Sequence, residues 1–254
     1  MDRYKFSTIA HQKHVYCNPI PETKMSRLIG LLALQQGQRF VDIGAGHAEL
    51  SIRLCERYDG VEAVALEWSE PALAAAAARA AKRVGPERLK LIGGDAGEAV
   101  AAMEDASCDA ALCIGSSQAL GNAEAALQAM RRIVRPGGSI VLGEGYWRKP
   151  PCSAYLEALD AEEDELKTHA GNVRLGVDLG LEPLWSFTAS EDDWDEYEWL
   201  YKYSVEQYAM EHPDDPDREA MLERIRSWNS VFIRWGRDTL GFGLYWFRNG
   251  SDRN

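Results

Sequence analysis

The sequence predicts an α/β domain built on a mostly parallel sheet with helices on both faces. Three observations carry that expectation. Five short apolar runs alternate with helical stretches over about 110 residues, the rhythm of successive βα units. The runs are apolar throughout, as strands covered on both faces are. Four consecutive runs end in Gly44-Ala-Gly46, Glu67, Asp95 and Gly115, and parallel sheets bind ligands at strand C-terminal ends, near the switch in strand order.

The elements follow in order. Glu22–Leu34 has apolar residues at Met25, Leu28, Ile29, Leu31 and Leu32, helical spacing with Gly37 just past the end. Arg39–Ile43 is a buried strand running into Gly44-Ala-Gly46, with a helix from about His47 to Tyr58. Val61–Leu66 is a second strand, and 69–83 an alanine-rich helix with Pro71 in its first turn. Leu89–Ile92 is a third strand, followed by helix 97–103; Ala110–Ile114 is a fourth. Helix 123–134 stops before Arg135-Pro-Gly-Gly138, and Ser139–Leu142 is a fifth strand. After residue 145 the rhythm changes. Ser153–Leu159 and about 161–170 read as helices and Leu184–Ala189 as a strand. Two helical stretches, 191–211 and 217–236, then flank His212-Pro-Asp-Asp-Pro216 before a final strand, Phe242–Phe247. The pattern is a helical hairpin inserted between the last two strands.

The 254 residues suit one large domain. The net charge of −12 is uneven: residues 151–254 hold 23 acids and 10 bases, while the first 150 are close to neutral. That balance argues against a dedicated nucleic-acid binder, which needs clustered Lys and Arg. No run of about 18 apolar residues predicts a membrane span, and the polar start, Met1 to Phe6, lacks the apolar stretch of a signal peptide. Five scattered cysteines without a CxxC argue for reduced thiols, a cytoplasmic location and no structural metal site. The oligomeric state is left open.

Val41-Asp-Ile-Gly-Ala-Gly-His47 is the most informative segment. Glycines after a buried strand let a ligand approach the backbone, and the next helix offers free N–H groups. The third glycine of a dinucleotide fingerprint would fall at Glu49, which argues against a pyrophosphate there. Asp42 suits a cationic ligand instead. Glu67, 21 residues beyond Gly46, is placed to accept from both hydroxyls of a ribose, with Trp68 beside it to cover an adenine face or pack on the helix below. Asp95 and the Ala96 N–H can pair with an adenine edge, and Asp95 can equally cap the following helix.

Together these residues resemble a class I S-adenosylmethionine-dependent methyltransferase, in the small-molecule branch that includes the quinone-biosynthesis enzymes. Asp42–Gly46 resembles the family's first motif, Glu67 its ribose-binding acid and Asp95-Ala96 its adenine-contacting pair. Asp109–Gly115 resembles the fourth-strand motif beside the methionine moiety, and Leu127–Leu142 the helix and fifth strand. The resemblance covers about 1–148, with 180–190 and 240–248 as topology only. It implies a Rossmann-like, mostly parallel seven-stranded sheet with helices on both faces, an antiparallel last strand and a helical insertion before it. It also implies one domain over 1–254: an N-terminal helical cap (1–36), a cofactor-binding core (37–148) and a remainder (149–254) with a lid at about 191–236. The implied cofactor is S-adenosyl-L-methionine, bound by Asp42, Gly44, Gly46, Glu67, Trp68, Asp95, Ala96, Gly115 and Ser116. The absence of an Asn-Pro-Pro-Tyr-like motif after the fourth strand lowers the case for methylating nucleic-acid amines.

In such enzymes the acceptor enters over the strand ends. His14, Tyr16 and Glu144 are the expected catalytic candidates, and Tyr146, Trp147, Trp194 and Tyr197 the expected acceptor wall. Trp194, Tyr197 and Tyr201 share a helix face in the acidic stretch Asp192–Trp199; either that face is core and the acids are solvated, or the stretch is a lid carrying aromatics and carboxylates toward a cationic or amine-bearing substrate, and Arg234 and Arg237 can pair with those acids or take a substrate carboxylate. Methyl transfer from a sulfonium needs positioning first, and a base only where the acceptor must lose a proton. Two rival readings remain: a nicotinamide-dependent oxidoreductase on the same kind of sheet, and a non-catalytic S-adenosylmethionine-binding protein.

Overall fold

A computed structural model describes residues 3–250, so the outermost positions of the expected 1–254 domain lie outside the described residues. Seven strands form one sheet in the order β3-β2-β1-β4-β5-β7-β6. They are β1 (Arg39–Ile43), β2 (Glu62–Glu67), β3 (Leu89–Gly93), β4 (Cys108–Ile114), β5 (Val134–Trp147), β6 (Glu182–Thr188) and β7 (Leu240–Arg248). The first five pair in parallel, and β7 lies antiparallel to both β5 and β6. This is the Rossmann-like, mostly parallel sheet the sequence predicts. The order reverses between β1 and β4, which opens a crevice at their C-terminal ends.

The pleat sorts side chains onto two faces. Phe40, Leu112, Val141 and Leu244 join the core under helices α2 (Glu22–Leu32) and α3 (Glu49–Arg57). Val41, Ile43, Leu142, Tyr245 and Phe247 join the core under α6 (Ala123–Ile133). Helix α2 buries Met25, Leu28, Ile29 and Leu32, the 3–4 spacing of a one-faced helix. The edge helices α4 (Glu70–Ala80) and α5 (Ala96–Ala101) start on the side-chain caps Ser69 and Asp95. The first helix, α1 (Arg3–His11), packs Phe6, Ile9 and Ala10 on Val205, Met221 and Ile225. Those three belong to the hairpin of α9 (Glu191–Glu211) and α10 (Arg218–Val231) inserted between β6 and β7.

Three expectations change. Strand β5 runs from Val134 to Trp147 rather than 139–142, because β4 pairs with it from Cys108↔Val134 and β7 pairs with it as far as Trp147↔Leu240. The helix expected at 161–170 forms instead as α8 (His169–Asp178), after α7 (Ser153–Leu159) and a loop. The loop's carbonyls serve the end of β5: Trp147 donates its backbone N–H to Lys167 O at 2.9 Å and its indole N–H to Glu163 O at 2.8 Å. Thr168 then caps α8 by accepting from the Gly171 N–H. The stretch 217–236 is α10 followed by a π-helical turn, Phe232–Gly236. No helix among the described residues is long and apolar enough to cross a membrane.

Candidate active site

At the end of β1 the chain turns through Gly44, at φ +69°. A Cβ there would fall 2.3 Å from the Ser116 Cβ. Ser116 in turn donates its hydroxyl to Ile43 O at 2.7 Å, which stitches the ends of β1 and β4 across the switch point. Glu67, at the end of β2, accepts from the Gly46 N–H at 2.7 Å and the Ser69 N–H at 2.8 Å. The carboxylate is thereby held over the glycine turn by two charge-assisted bonds.

A cavity of 370 Å³ lies over these strand ends. Gly44, Gly46, Glu67, Trp68, Asp95, Ala96, Gly115 and Ser116 all line it. Trp68 stands 59% exposed. Asp95 accepts from the Glu98 N–H at 2.9 Å, so its capping role is present. Asp42 is not in this wall. It is buried in an adjoining cleft with Gly44 and Gly46, accepting from the Ser51 hydroxyl at 2.6 Å. Burial, with the nearby Glu67 charge adding to it, pushes its carboxyl up to about 6.

A second cavity, of 580 Å³, meets the first: His11, Cys17 and Gly115 line both. Its walls include Trp194, Tyr197, Glu198 and Tyr201 from α9 and Trp228 from α10. The α9 residues stand at i, i+3, i+4 and i+7, one helix face. Glu198 accepts from the Trp228 indole N–H at 2.6 Å, and burial pushes its carboxyl up to about 7. The His11 ring can be assigned by its partners. Its Nδ1 lies 2.9 Å from Ser7 O; a carbonyl only accepts, so Nδ1 carries the proton. Burial lowers the His11 pKa to about 4, leaving the ring neutral at pH 7. Nε2 therefore accepts from the Tyr197 hydroxyl at 2.9 Å.

The remaining sequence candidates lie elsewhere. His14 sits behind Tyr197, its Nε2 3.0 Å from Tyr197 O and its ring 4.7 Å from the tyrosine ring. Tyr16 is buried in the cleft beside Asp42, under the Arg53 guanidinium. Glu144 is inside β5 rather than at a strand end, accepting from the Ser117 hydroxyl, with its carboxyl raised by burial. Tyr146 lies over Gly241 and Trp147 packs edge-on to Tyr155. None of these five lines either of the two cavities. Of the insertion's arginines, Arg237 pairs with Asp195 and Glu191, and Arg234 lies over the Trp235 ring. The sequence places His11 and Cys17 in the N-terminal segment expected around the acceptor and Glu198 in the acidic opening of the insertion, but it did not single out any of the three as site residues. The pairing of His11 with Tyr197 was not legible, because the two lie 186 positions apart.

Residues 40–138 match the family model described as "Methyltransferase domain". The Escherichia coli (strain K12) protein YjhP is 27% identical over 250 residues, 96% of this chain and 98% of that one. The 27-O-demethylrifamycin SV methyltransferase of Amycolatopsis mediterranei is 29% identical over 220 residues, 80% of this chain and 76% of the relative. Among solved structures, a SAM-dependent methyltransferase from Geobacter sulfurreducens in complex with S-adenosyl-L-homocysteine superposes with a TM-score of 0.86 at 25% identity. That match covers 96% of this chain and 97% of the other.

Proposed function

The chain is a class I S-adenosylmethionine-dependent methyltransferase, and on that premise we propose that it methylates a small molecule bound in the 580 Å³ cavity. The observation that carries the reading is the junction: His11, Cys17 and Gly115 belong to both cavities, so a methyl group can pass from one to the other. A small-molecule acceptor also agrees with the rifamycin methyltransferase among the relatives.

The residues fit the cofactor. S-adenosylmethionine, when bound, supplies a methyl group on a positively charged sulfur, already activated for in-line displacement. Glu67 keeps lone pairs beyond its two backbone bonds for the ribose hydroxyls. Asp95 and the Ala96 N–H line the same cavity for the adenine edge. Asp42 and Glu67 form no ion pair among the described residues, and two such acids at one end of a site suit a cationic ligand.

In the acceptor cavity, the Tyr197 hydroxyl donates a hydrogen bond to His11 Nε2 and keeps its oxygen lone pairs for an acceptor N–H or O–H. That contact orients the nucleophile, which is the main task in this reaction. His14 seats the Tyr197 backbone, while Tyr16 and Glu144 support the glycine turn and the β4–β5 ends from behind. A dinucleotide site is disfavoured by Glu49, which holds Arg53 and Arg83 where a third glycine would stand.

Calorimetric titration with S-adenosylmethionine, S-adenosylhomocysteine and NAD tests the cofactor assignment, and transfer of a labelled methyl group to a small-metabolite pool tests the acceptor class. Binding of the sulfonium compound with label in small molecules is expected. Label recovered only in macromolecules overturns the small-molecule reading.

A further inference from the structure

We propose that the methyl acceptor carries a protonated amine held by Glu198 among the aromatic walls, and that the atom methylated is a different one on the same molecule. The inference rests on the reading of the 580 Å³ cavity as the acceptor site. Glu198 is 4% exposed and is the one carboxylate in that wall. Its Oε2 accepts from Trp228, and its Oε1 has no hydrogen bond to a described residue. No lysine or arginine forms an ion pair with it among the described residues.

The groups around it leave the charge uncompensated. Tyr197 and Tyr201 on α9 are neutral, their hydroxyls held protonated by burial. Tyr155 of α7 feels the Glu198 charge and is neutral for the same reason. His11 of α1 is neutral; Arg224 of α10 lines the same cavity, but it is exposed, holds its guanidinium over the Phe6 ring, 4.7 Å from the centroid, and forms no ion pair with Glu198 among the described residues. A buried carboxylate without a counter-charge raises its own pKa unless a cation arrives. An ammonium supplies that cation, donates to the open Oε1, and meets the faces of Trp194, Tyr201 and Trp228.

An ammonium nitrogen has no lone pair and cannot attack the methyl group. Glu198 also lines the second cavity without lining the cofactor cavity, whereas His11, Cys17 and Gly115 line both. The amine is therefore an anchor, and the nucleophile is a second group reaching the junction.

The test loads the protein with S-adenosylhomocysteine and titrates 2-phenylethylamine and its neutral isostere 2-phenylethanol. Wild type at pH 8 is expected to bind the amine at least about tenfold tighter. Glu198→Gln keeps an acceptor for Trp228 and removes the charge, so the preference should vanish with S-adenosylhomocysteine affinity unchanged. Lowering the pH of the wild type to 5.5 should also erase it, an arm that does not depend on the variant folding. Equal or undetectable binding of both probes to wild type at pH 8, or a preference that survives the substitution, overturns the proposal. Failure of S-adenosylhomocysteine itself to bind strikes the cofactor assignment instead, a separate outcome.

Discussion

The His11 Nε2 lies 2.9 Å from the Tyr197 hydroxyl, joining α1 to α9 across 186 positions of sequence at the mouth between the two cavities. The bond fixes both a tautomer and a hydroxyl direction, and it closes the N-terminal helix against the insertion. Tyr197→Phe keeps the ring stacked on Tyr201 and removes the hydroxyl. We expect a stability loss of about 1 kcal/mol, unchanged S-adenosylhomocysteine affinity, and methyl transfer to the labelled pool slowed by roughly 10–100-fold. Denaturant melts and initial rates of label transfer check the three together.

Glu67 is bound from both sides by backbone N–H groups before any ligand arrives. Its alanine variant should lose S-adenosylhomocysteine affinity by about 10–100-fold, the range for charge-assisted hydrogen bonds. Isothermal titration measures this, and unchanged affinity removes Glu67 from the ribose role.

Glu198 gives a pH dependence with a definite sign. Its carboxyl titrates near 7 in the folded chain against an ordinary value of 4.5. Between those values the native state holds a proton that the unfolded chain has released, so stability falls as pH rises through this window. The full effect is of order 3 kcal/mol. Asp42, raised to about 6 from 3.8, acts in the same direction at lower pH. The lowered histidines His11, His14 and His47 act oppositely below about 6.5, where the unfolded chain takes up their protons first. The histidine contribution overlaps this window, so Glu198 is isolated by comparing wild type with Glu198→Gln. Wild type should lose melting temperature relative to the variant as pH rises from 5 to 8, and a difference that does not change with pH would show that the carboxyl titrates normally.

Gly44→Ala should destabilise the chain. The positive φ alone costs about 1–3 kcal/mol for a side-chain-bearing residue, and the new methyl meets Ser116. Ser116→Gly removes the clash but also the hydroxyl bond to Ile43 O, so Gly44→Ala should cost less in a Ser116→Gly background than in wild type while the backbone cost remains. Thermal melts of the two single variants and the double variant separate the contributions.

Most of the lining of the 370 Å³ cavity was legible in the residues. Gly44, Gly46, Glu67, Asp95, Ala96 and Gly115 lie at the ends of successive strands, and a parallel sheet brings such ends together whatever covers it. The 580 Å³ cavity was legible only as a face of α9, because period alone does not say what a face meets. Trp194 and Tyr197 reached the cavity wall, whereas Trp147 was taken into the packing of β5 against the 161–168 loop.

The sequence by itself determined the α/β alternation, the cofactor class and the placing of the acidic excess after residue 150. These depend on short-range patterns: apolar runs, turn glycines and caps. Only the tertiary structure decided which acid matters in the second half. Four of the eight carboxylates of α9 serve its cap or pair with cations: Asp193 binds Ser190 and Lys24, Asp195 and Glu191 bind Arg237, and Glu206 binds Lys202 and Arg226. Glu198 alone among them is turned inward against Trp228, because α10 folds back on α9 and α1 closes over both. Burial and partner choice arise from contacts dozens of residues apart, so the identity of that one carboxylate could emerge only when the chain was packed.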